Sequence, residues 1–390
     1  MLTTLLLIII YFSFIGLGLP DSLLGSAWPS MYGLLNVPLH YAGFVSMTIA
    51  GGTVVSSIFS GKIIRRFGTG IVTAVSVLMT AAALVGFSFS HKFLYICFCA
   101  VPLGLGAGSV DAALNNYVAL HYKARHMSWL HCFWGIGAST GPIIMSACLL
   151  YRNSWNLGYR TIGVIQFFLA AALVISLPLW KSNSAAENRS RHNSIKFIKL
   201  ISIAGVKQAL IAFFCYCTLE TITGLWGASF LVMVKNIPPE TAAQWIALYY
   251  IGITLGRFVS GFITMKLNNR LLIRTGQIVI GCGIAVLVLP FGNATLLPGL
   301  FMIGLGCAPV FPSLLHETPE NFGKEYSQAI MGIQMASAYI GTTVMPLLFG
   351  RIASYTSFNI FPIFIGVVLL IKIIMVETLN KKIDTIKLKK

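Results

Sequence analysis

The chain has 390 residues, of which 57% are hydrophobic and only 9% are charged. A soluble domain carries roughly 25% charged residues, so this composition excludes an ordinary soluble globular protein and places most of the chain in lipid. The formal net charge of +17 does not indicate a nucleic-acid-binding face, because the basic residues lie in short gaps between apolar runs. The eight cysteines lie inside apolar runs without zinc or CxxC spacing, which favours a packing role.

Twelve apolar runs follow one another along the chain, each long enough for the roughly 20 residues that span a bilayer. The first contains a predicted helix break near Gly18-Leu19-Pro20, with Asp21 directly after it. The runs cover residues 1–26, 41–63, 70–90, 93–120, 127–150, 158–180, 205–234, 241–265, 271–290, 295–315, 326–349 and 358–378. The pattern predicts an all-α integral membrane protein with an N-terminal half at 1–180, a linker at 181–203, a C-terminal half at 204–380 and a basic tail at 381–390.

The distribution of lysine and arginine predicts the orientation of these helices. If both termini are cytoplasmic, 19 of these residues lie in cytoplasmic segments and only five lie in outer loops. Cytoplasmic loops carry the excess of Lys and Arg in membrane proteins. We therefore expect both termini in the cytoplasm. The protein is further expected to be a multi-pass protein of the cell membrane that works as a monomer.

The two halves repeat at an offset of about 200 residues. Gly52, Ser60 and Gly61 match Gly252, Ser260 and Gly261, and the tetrapeptide at 103–106 matches the one at 303–306. Asp111 falls opposite Phe311, so a carboxylate is present in one half only. Two six-helix halves related by an axis along the membrane normal are a known transporter architecture, with the binding site between the halves.

A carboxylate lies in the middle of one of the predicted helices. The stretch Leu103–Tyr117 is rich in glycine and alanine, as in closely packed membrane helices, and contains Asp111 followed four residues later by Asn115. A charged side chain at mid-bilayer costs roughly 2.5–3.5 kcal/mol on insertion scales. Asp111 should therefore face a polar interior of the helix bundle and have a functional role there.

Seven of the ten acidic residues lie in loops, at the ends of predicted helices or in the tail, and the remaining three, Asp21, Asp111 and Glu220, lie within the membrane. A low-dielectric environment disfavours the charged form of a carboxyl group, which makes it a proton carrier when no cation pairs with it. A buried ion pair or a helix cap is the structural alternative for each of the three. We expect all three to take part in proton coupling.

Six segments spread over both halves form a recognisable set: PDSLLGSAWP (20–29), VDAALNNYV (110–118), WLHCFWGIGASTGP (129–142), LETITGLW (219–226), LGRFVSG (255–261) and GLGCAPVFPSLL (304–315). They resemble the major facilitator superfamily, and within it the branch of fucose–proton symporters and related sugar permeases. The resemblance implies that Asp21 and Asp111 take part in proton coupling and sugar binding, and it suggests a related role for Glu220.

One loop departs from that family. The connection between the second and third helices usually reads GxxxDRxGRR, whereas this chain has GKIIRRFGTG, with Arg65 at the acidic position. The usual charge relay at the cytoplasmic gate is therefore expected to be altered or absent. Arg65, Arg66 and Arg257 are the predicted gating residues, and Arg257 is placed at the gate because it lies about two turns from the inner end of its helix.

Neutral side chains are expected to supply the rest of a solute site. Asn115 and Asn116 offer paired donors and acceptors for hydroxyl groups. His131 matches a cavity-lining position in the family that the chain resembles. Trp226 is the preferred stacking residue because it follows Glu220 by six positions, and Gln334 is a further hydrogen-bonding candidate.

No enzymatic motif is present, so the chain is not expected to be an enzyme, to bind nucleic acid or to need a metal or cofactor. The favoured function is a secondary transporter that moves a small polar solute, a monosaccharide first of all, together with protons. Sodium could replace the proton as the coupling ion. Two further functions fit the sequence: a proton-coupled exporter or drug antiporter of the same fold, and a non-transporting sensor on a transporter scaffold.

Overall fold

The computed structural model describes residues 2–122, 124–180, 200–263 and 268–388, which are helical almost throughout. Residues 181–199 of the linker predicted at 181–203 lie outside these ranges, as do Lys123, Lys266, Lys389 and Lys390. The first half contains α1 (Leu2–Asp21), α2 (Leu23–Met31), α3 (Ala42–Phe67), α4 (Thr69–Ser88), α5 (Phe93–His121), α6 (Ala124–Arg152) and α7 (Trp155–Ile175). The second half contains α8 (Val206–Lys235), α9 (Pro239–Ile263), α10 (Asn269–Val288), α11 (Leu296–Cys307), α12 (Val310–His316), α13 (Thr318–Phe322), α14 (Lys324–Tyr355) and α15 (Phe361–Leu388).

Eleven segments within the described ranges are long and apolar enough to cross a membrane. Helices α1 and α2 together form one of these segments, and α11 to α13 together form another. Helix α9, with 25 residues, is long enough for a twelfth crossing and packs between α6 and α11. The predicted architecture of twelve membrane-spanning helices in two six-helix halves is confirmed.

The two halves repeat the same helix contacts. Helix α1 packs on α6 as α8 packs on α14, and α3 packs on α5 as α9 packs on α11. A Cβ atom on Gly104 would fall on the carbonyl oxygen of Ile49, and one on Gly304 would fall on that of Tyr249. The residue numbers of the second contact are each 200 higher than those of the first, so the repeat in the sequence corresponds to a repeat of backbone contacts. Glycine is required at both crossings because only it lets the two backbones approach so closely.

We expect Gly104→Ala and Gly304→Ala each to reduce the yield of folded protein severely, because each added methyl group meets backbone that cannot move alone. Gly51→Ala, in α3, is the matched control, since nothing lies within 4 Å of the added Cβ there. Size-exclusion profiles and thermal unfolding in detergent measure the difference. Equal behaviour of the three variants would contradict the close crossings.

Prolines interrupt two of the membrane-spanning segments. Helix α1 ends at Asp21, directly after Pro20, close to the predicted break. Helix α11 ends at Cys307 and α12 begins at Val310, an interruption at Pro309 that the pattern of apolar runs does not predict. A proline lacks the N–H of a helical hydrogen bond and clashes with the preceding turn, which accounts for both breaks.

The last helix extends further than predicted. Helix α15 continues to Leu388, so the described part of the predicted tail at 381–390 is helical. Two arginines of α10 pair with this extension, Arg270 with Asp384 at 2.8 Å and Arg274 with Glu377 at 2.6 Å. These charge pairs stabilise the polar end of α15 as helix, whereas the hydropathy of the sequence predicts that the helix ends near residue 378. At 200–203, the end of the predicted linker packs on the second half through buried Leu200.

The halves meet closely at the distal end of the bundle, meaning the end away from the two chain termini. A Cβ on Gly25 of α2 would fall on the carbonyl oxygen of Gly224 in α8. His40, just before α3, lies 3.2 Å from the hydroxyl of Ser354 in α14 through its Nδ1. These contacts close the distal end of the interface between the halves.

Candidate functional site

Asp21 is held by a tryptophan of a neighbouring helix. The indole Nε1 of Trp134 in α6 donates a hydrogen bond of 2.7 Å to Asp21 Oδ2 at the end of α1. The two helices approach closely because Gly18 has no side chain, and a Cβ there would fall on the carbonyl oxygen of Trp134. Asp21 is nevertheless exposed, so solvent-accessible space reaches it within the bundle.

Glu220 is paired with an arginine. Arg257 Nη2 of α9 lies 3.4 Å from Glu220 Oε1 of α8, and the two side chains are 16% and 22% exposed, respectively. The Tyr249 hydroxyl donates a 3.0 Å hydrogen bond to the backbone oxygen of Glu220. Tyr216, one turn earlier in α8, is a further neighbour of the Glu220 carboxylate. Glu220 thus forms the buried ion pair that is the structural alternative for the three carboxylates, and its part in proton coupling stays a prediction.

Trp134 also connects the two halves. The guanidinium carbon of Arg257 lies 4.7 Å from the centroid of the Trp134 ring, a cation–π contact. Such contacts contribute roughly 0.5–2 kcal/mol, more where water is excluded. Asp21, Trp134, Arg257 and Glu220 thus form one continuous chain of contacts, called here the central cluster. It runs through α1, α6, α9 and α8 and so spans the interface between the halves.

Asp111 lies on α5 beside the central cluster. Its Oδ1 accepts a 2.8 Å hydrogen bond from Asn115 Nδ2, one turn further along the helix. It is half-buried and interacts electrostatically with Asp21 and with Tyr339 of α14. Within the described ranges no lysine or arginine pairs with Asp111. Asn116, the other predicted amide, is exposed.

His131 borders the central cluster from the first half. It lies one turn before Trp134 in α6, is half-buried and is an electrostatic neighbour of Arg257. Its ring packs edge-on against Phe14, with ring centroids 5.9 Å apart and an interplanar angle of 88°. The structure therefore brings His131 together with other residues predicted at the solute site.

Two predicted solute-binding residues lie elsewhere. Trp226 is completely buried, and its Nε1 donates a 2.9 Å hydrogen bond to the backbone oxygen of Pro346 in α14. Gln334 is 2% exposed and accepts a 2.9 Å hydrogen bond from the hydroxyl of Thr318. Neither side chain can contact a solute in this conformation, and both hold helices of the second half together.

The predicted gating arginines are separated. Arg257 belongs to the central cluster, whereas Arg65 and Arg66 are exposed in the last turn of α3. The guanidinium carbon of Arg66 lies 5.3 Å from the ring centroid of its neighbour Phe67. The sequence assigns Arg257 to the gate because of its distance from the inner end of its helix. That argument does not include Glu220 of α8, which lies beside Arg257 in the folded protein. The geometry therefore supports a site role for Arg257.

Comparison with known proteins agrees with this geometry. The profile of the Major Facilitator Superfamily matches residues 10–334 and 237–382. The chain is 25% identical over 328 residues to the glucose/mannose transporter GlcP of Bacillus subtilis, covering 80% of this chain and 76% of that protein. It is 21% identical over 387 residues to Bypass of stop codon protein 6 of Saccharomyces cerevisiae, covering 90% of this chain and 77% of that protein.

A solved structure extends the match to the fold. The crystal structure of a mutant of the nucleoside transporter NupG superposes with a TM-score of 0.77 at 13% identity, covering 96% of this chain and 98% of that one. The profile match spans both halves, and the superposition includes nearly every described helix. The chain is a multi-pass membrane protein and belongs to the Major Facilitator Superfamily of transporters.

Proposed function

We propose that the protein is a proton-coupled symporter of a monosaccharide in the cell membrane, with both termini cytoplasmic. The observation that carries this proposal is the central cluster, a chain of contacts between the halves that ends in an exposed carboxylate. With cytoplasmic termini, the closed distal end is the outer end of the bundle. Solute then binds between the halves, where transporters of this architecture hold their cargo.

The chemistry at the site suits a polyhydroxylated solute. The Asp21 carboxylate accepts hydrogen bonds, the Trp134 indole and the Arg257 guanidinium donate them, and Asn115 and Asn116 do both. An aromatic face beside such groups favours a pyranose ring. The similarity to a protein named for glucose and mannose transport supports a monosaccharide as the first candidate.

Asp111 is the preferred proton carrier because no cation among the described residues pairs with it. It is close enough to Asp21 for the two carboxylates to repel each other. A proton on Asp111 removes this repulsion and leaves Asp21 free to hold the solute. A solute that binds Asp21 competes with Trp134 for the carboxylate and so loosens the contact between Trp134 and Arg257 across the halves. Protonation of Asp111 and solute binding are thereby coupled to the conformational change.

Counterflow in proteoliposomes tests the proposal. Vesicles preloaded with unlabelled D-glucose or D-mannose should accumulate external labelled D-glucose transiently, and Asp21→Asn should reduce this signal. L-glucose is the matched control and should not drive exchange. If no sugar of a broad monosaccharide panel exchanges but an amphiphilic cation does, the protein is a drug antiporter. A protein that exchanges neither is a sensor, and the symport proposal fails.

A further inference from the structure

Three basic side chains lie together at the end of α3 that points towards the chain termini. Lys62, Arg65 and Arg66 are all exposed, and none of them pairs with an acidic residue within the described ranges. Lys62 is three and four residues from the two arginines, and like charges at these spacings on a helix repel one another. An anionic partner from outside these ranges would therefore stabilise the end of α3.

The corresponding end of the second half neutralises its basic residues within the protein. Arg270 Nη1 lies 2.8 Å from Asp384 Oδ1, and Arg274 Nη2 lies 2.6 Å from Glu377 Oε2. The first half has no acid for this purpose, because residues 1–180 contain only the two carboxylates of the candidate site. The basic end of α3 therefore has no acidic partner available in its own half.

The same face of α3 is apolar nearer the distal end. Val55, Ile58 and Phe59 are 48%, 71% and 50% exposed, respectively. With 3.6 residues per turn, these three side chains and the three basic ones all fall within about 60° of the line through Lys62. The six residues are called here the lipid-facing stripe. Because α3 is long and apolar enough to cross a membrane, the apolar part of the stripe meets acyl chains.

The opposite face of α3 is packed inside the protein, which fixes the direction of the stripe. Ser60 and Ile64 are buried, and Ile64 packs on Val72 of α4 and Ala113 of α5. Helix α3 is also held against α5 by the close crossing at Gly104. The stripe is therefore directed towards lipid by contacts with two neighbouring helices.

The spacing along the stripe suits the two parts of a phospholipid. At a rise of 1.5 Å per residue, Lys62 and Arg66 lie roughly 10 Å further along the helix axis than Val55 and Phe59, respectively. The apolar residues thus border the acyl chains, and the basic residues reach the level of the headgroups. A guanidinium group matches the geometry of a phosphate and can bind two of its oxygens at once.

We propose that the lipid-facing stripe is a binding site for an anionic phospholipid, with the phosphate on the three basic residues and the acyl chains along the three apolar ones. The lipid supplies the negative charge that two acids of α15 supply in the second half. With cytoplasmic termini, the site lies in the cytoplasmic leaflet, whose surface potential is negative. The binding does not depend on which solute the protein moves or on how it is coupled.

Native mass spectrometry of the full-length protein in detergent tests the site, with dioleoylphosphatidylglycerol as the anionic lipid. The wild type should retain this lipid in preference to dioleoylphosphatidylcholine. The triple variant Lys62→Gln/Arg65→Gln/Arg66→Gln should bind it roughly tenfold more weakly or worse, since each basic residue near an anionic surface strengthens binding several-fold. Arg65→Lys/Arg66→Lys keeps the charge and should keep the preference for the anionic lipid.

The matched control removes three positive charges from the helix that ends beside α10. Lys381, Lys382 and Lys387 of α15 are exposed, and acidic neighbours interact electrostatically with two of them, Glu377 with Lys381 and Glu317 with Lys387. Replacing all three lysines by glutamine should leave the binding of phosphatidylglycerol as in the wild type. An equal loss in both triple variants would show general attraction of charge and would overturn the site.

Lys62→Glu, a single substitution in the middle of the stripe, is the second variant and should weaken the binding of phosphatidylglycerol in the same direction. Unchanged binding in either variant of the stripe, or equal retention of the two lipids by the wild type, rejects the proposal. Glycerol 1-phosphate, which has the anionic group without acyl chains, should not displace the lipid at equal concentration. Displacement by it would show a site for free phosphate groups and would also overturn a lipid site.

Discussion

Arg257→Met should abolish transport and destabilise the protein. The substitution removes the partner of Glu220 and the cation that stacks on Trp134. Removing one member of a buried ion pair leaves an uncompensated charge, which costs roughly 3–5 kcal/mol when burial is complete and less for a pair with some solvent contact. We expect a lower thermal unfolding midpoint in detergent and no measurable solute affinity.

The double variant Arg257→Met/Glu220→Gln separates the charge effect from other effects. Removing both charges restores a neutral pair, so stability should return close to that of the wild type while transport stays lost. Equal instability of the single and double variants would show that the pair is not the cause. If Arg257 were only a gate latch, Arg257→Met would alter turnover and leave solute affinity unchanged.

Asp111→Asn should abolish uphill accumulation and leave downhill exchange measurable. A proton that crosses with the solute gains about 2.3 kcal/mol per 100 mV, which supports an accumulation of about 50-fold. That energy reaches the solute only if one group binds the proton on one side and releases it on the other. Asparagine keeps the shape and the contact with Asn115 but cannot ionise. The accumulation ratio should therefore fall to about one at equilibrium.

Asp21→Asn is the comparison for this experiment. Asp21 accepts a hydrogen bond from Trp134 and is exposed, so if it binds the solute as proposed, its loss should reduce both exchange and accumulation. A wild-type accumulation ratio in Asp111→Asn would contradict the assignment of the proton to this residue. Glu220 or a sodium site would then be the next candidate.

The sequence predicts the architecture because the apolar runs and the 200-residue repeat are visible in the sequence itself, without knowledge of the contacts between helices. It also predicts Asp21 and Asp111 as members of the site, since a carboxylate in an apolar helix has few other roles. The faces of the helices are harder to predict. Trp226 follows Glu220 by six residues, which is about 240° around a helix, so it points away from the face that carries Glu220. Tyr216, four residues before Glu220, shares that face.

The pairing between helices is the part that the sequence does not contain. Arg257 and Glu220 lie 37 residues apart and meet because α8 and α9 pack with those two turns side by side. Trp134 touches both Asp21 and Arg257 only because α6 lies between α1 and α9.

The most direct test of proton-coupled solute symport uses proteoliposomes that contain a pH-sensitive dye. D-glucose added outside, with no imposed pH gradient, should acidify the lumen of vesicles with the wild-type protein. Asp111→Asn vesicles should take up D-glucose without acidification. Entry of D-glucose without acidification in the wild type, or alkalinisation of the lumen, would contradict the account by showing uniport or antiport.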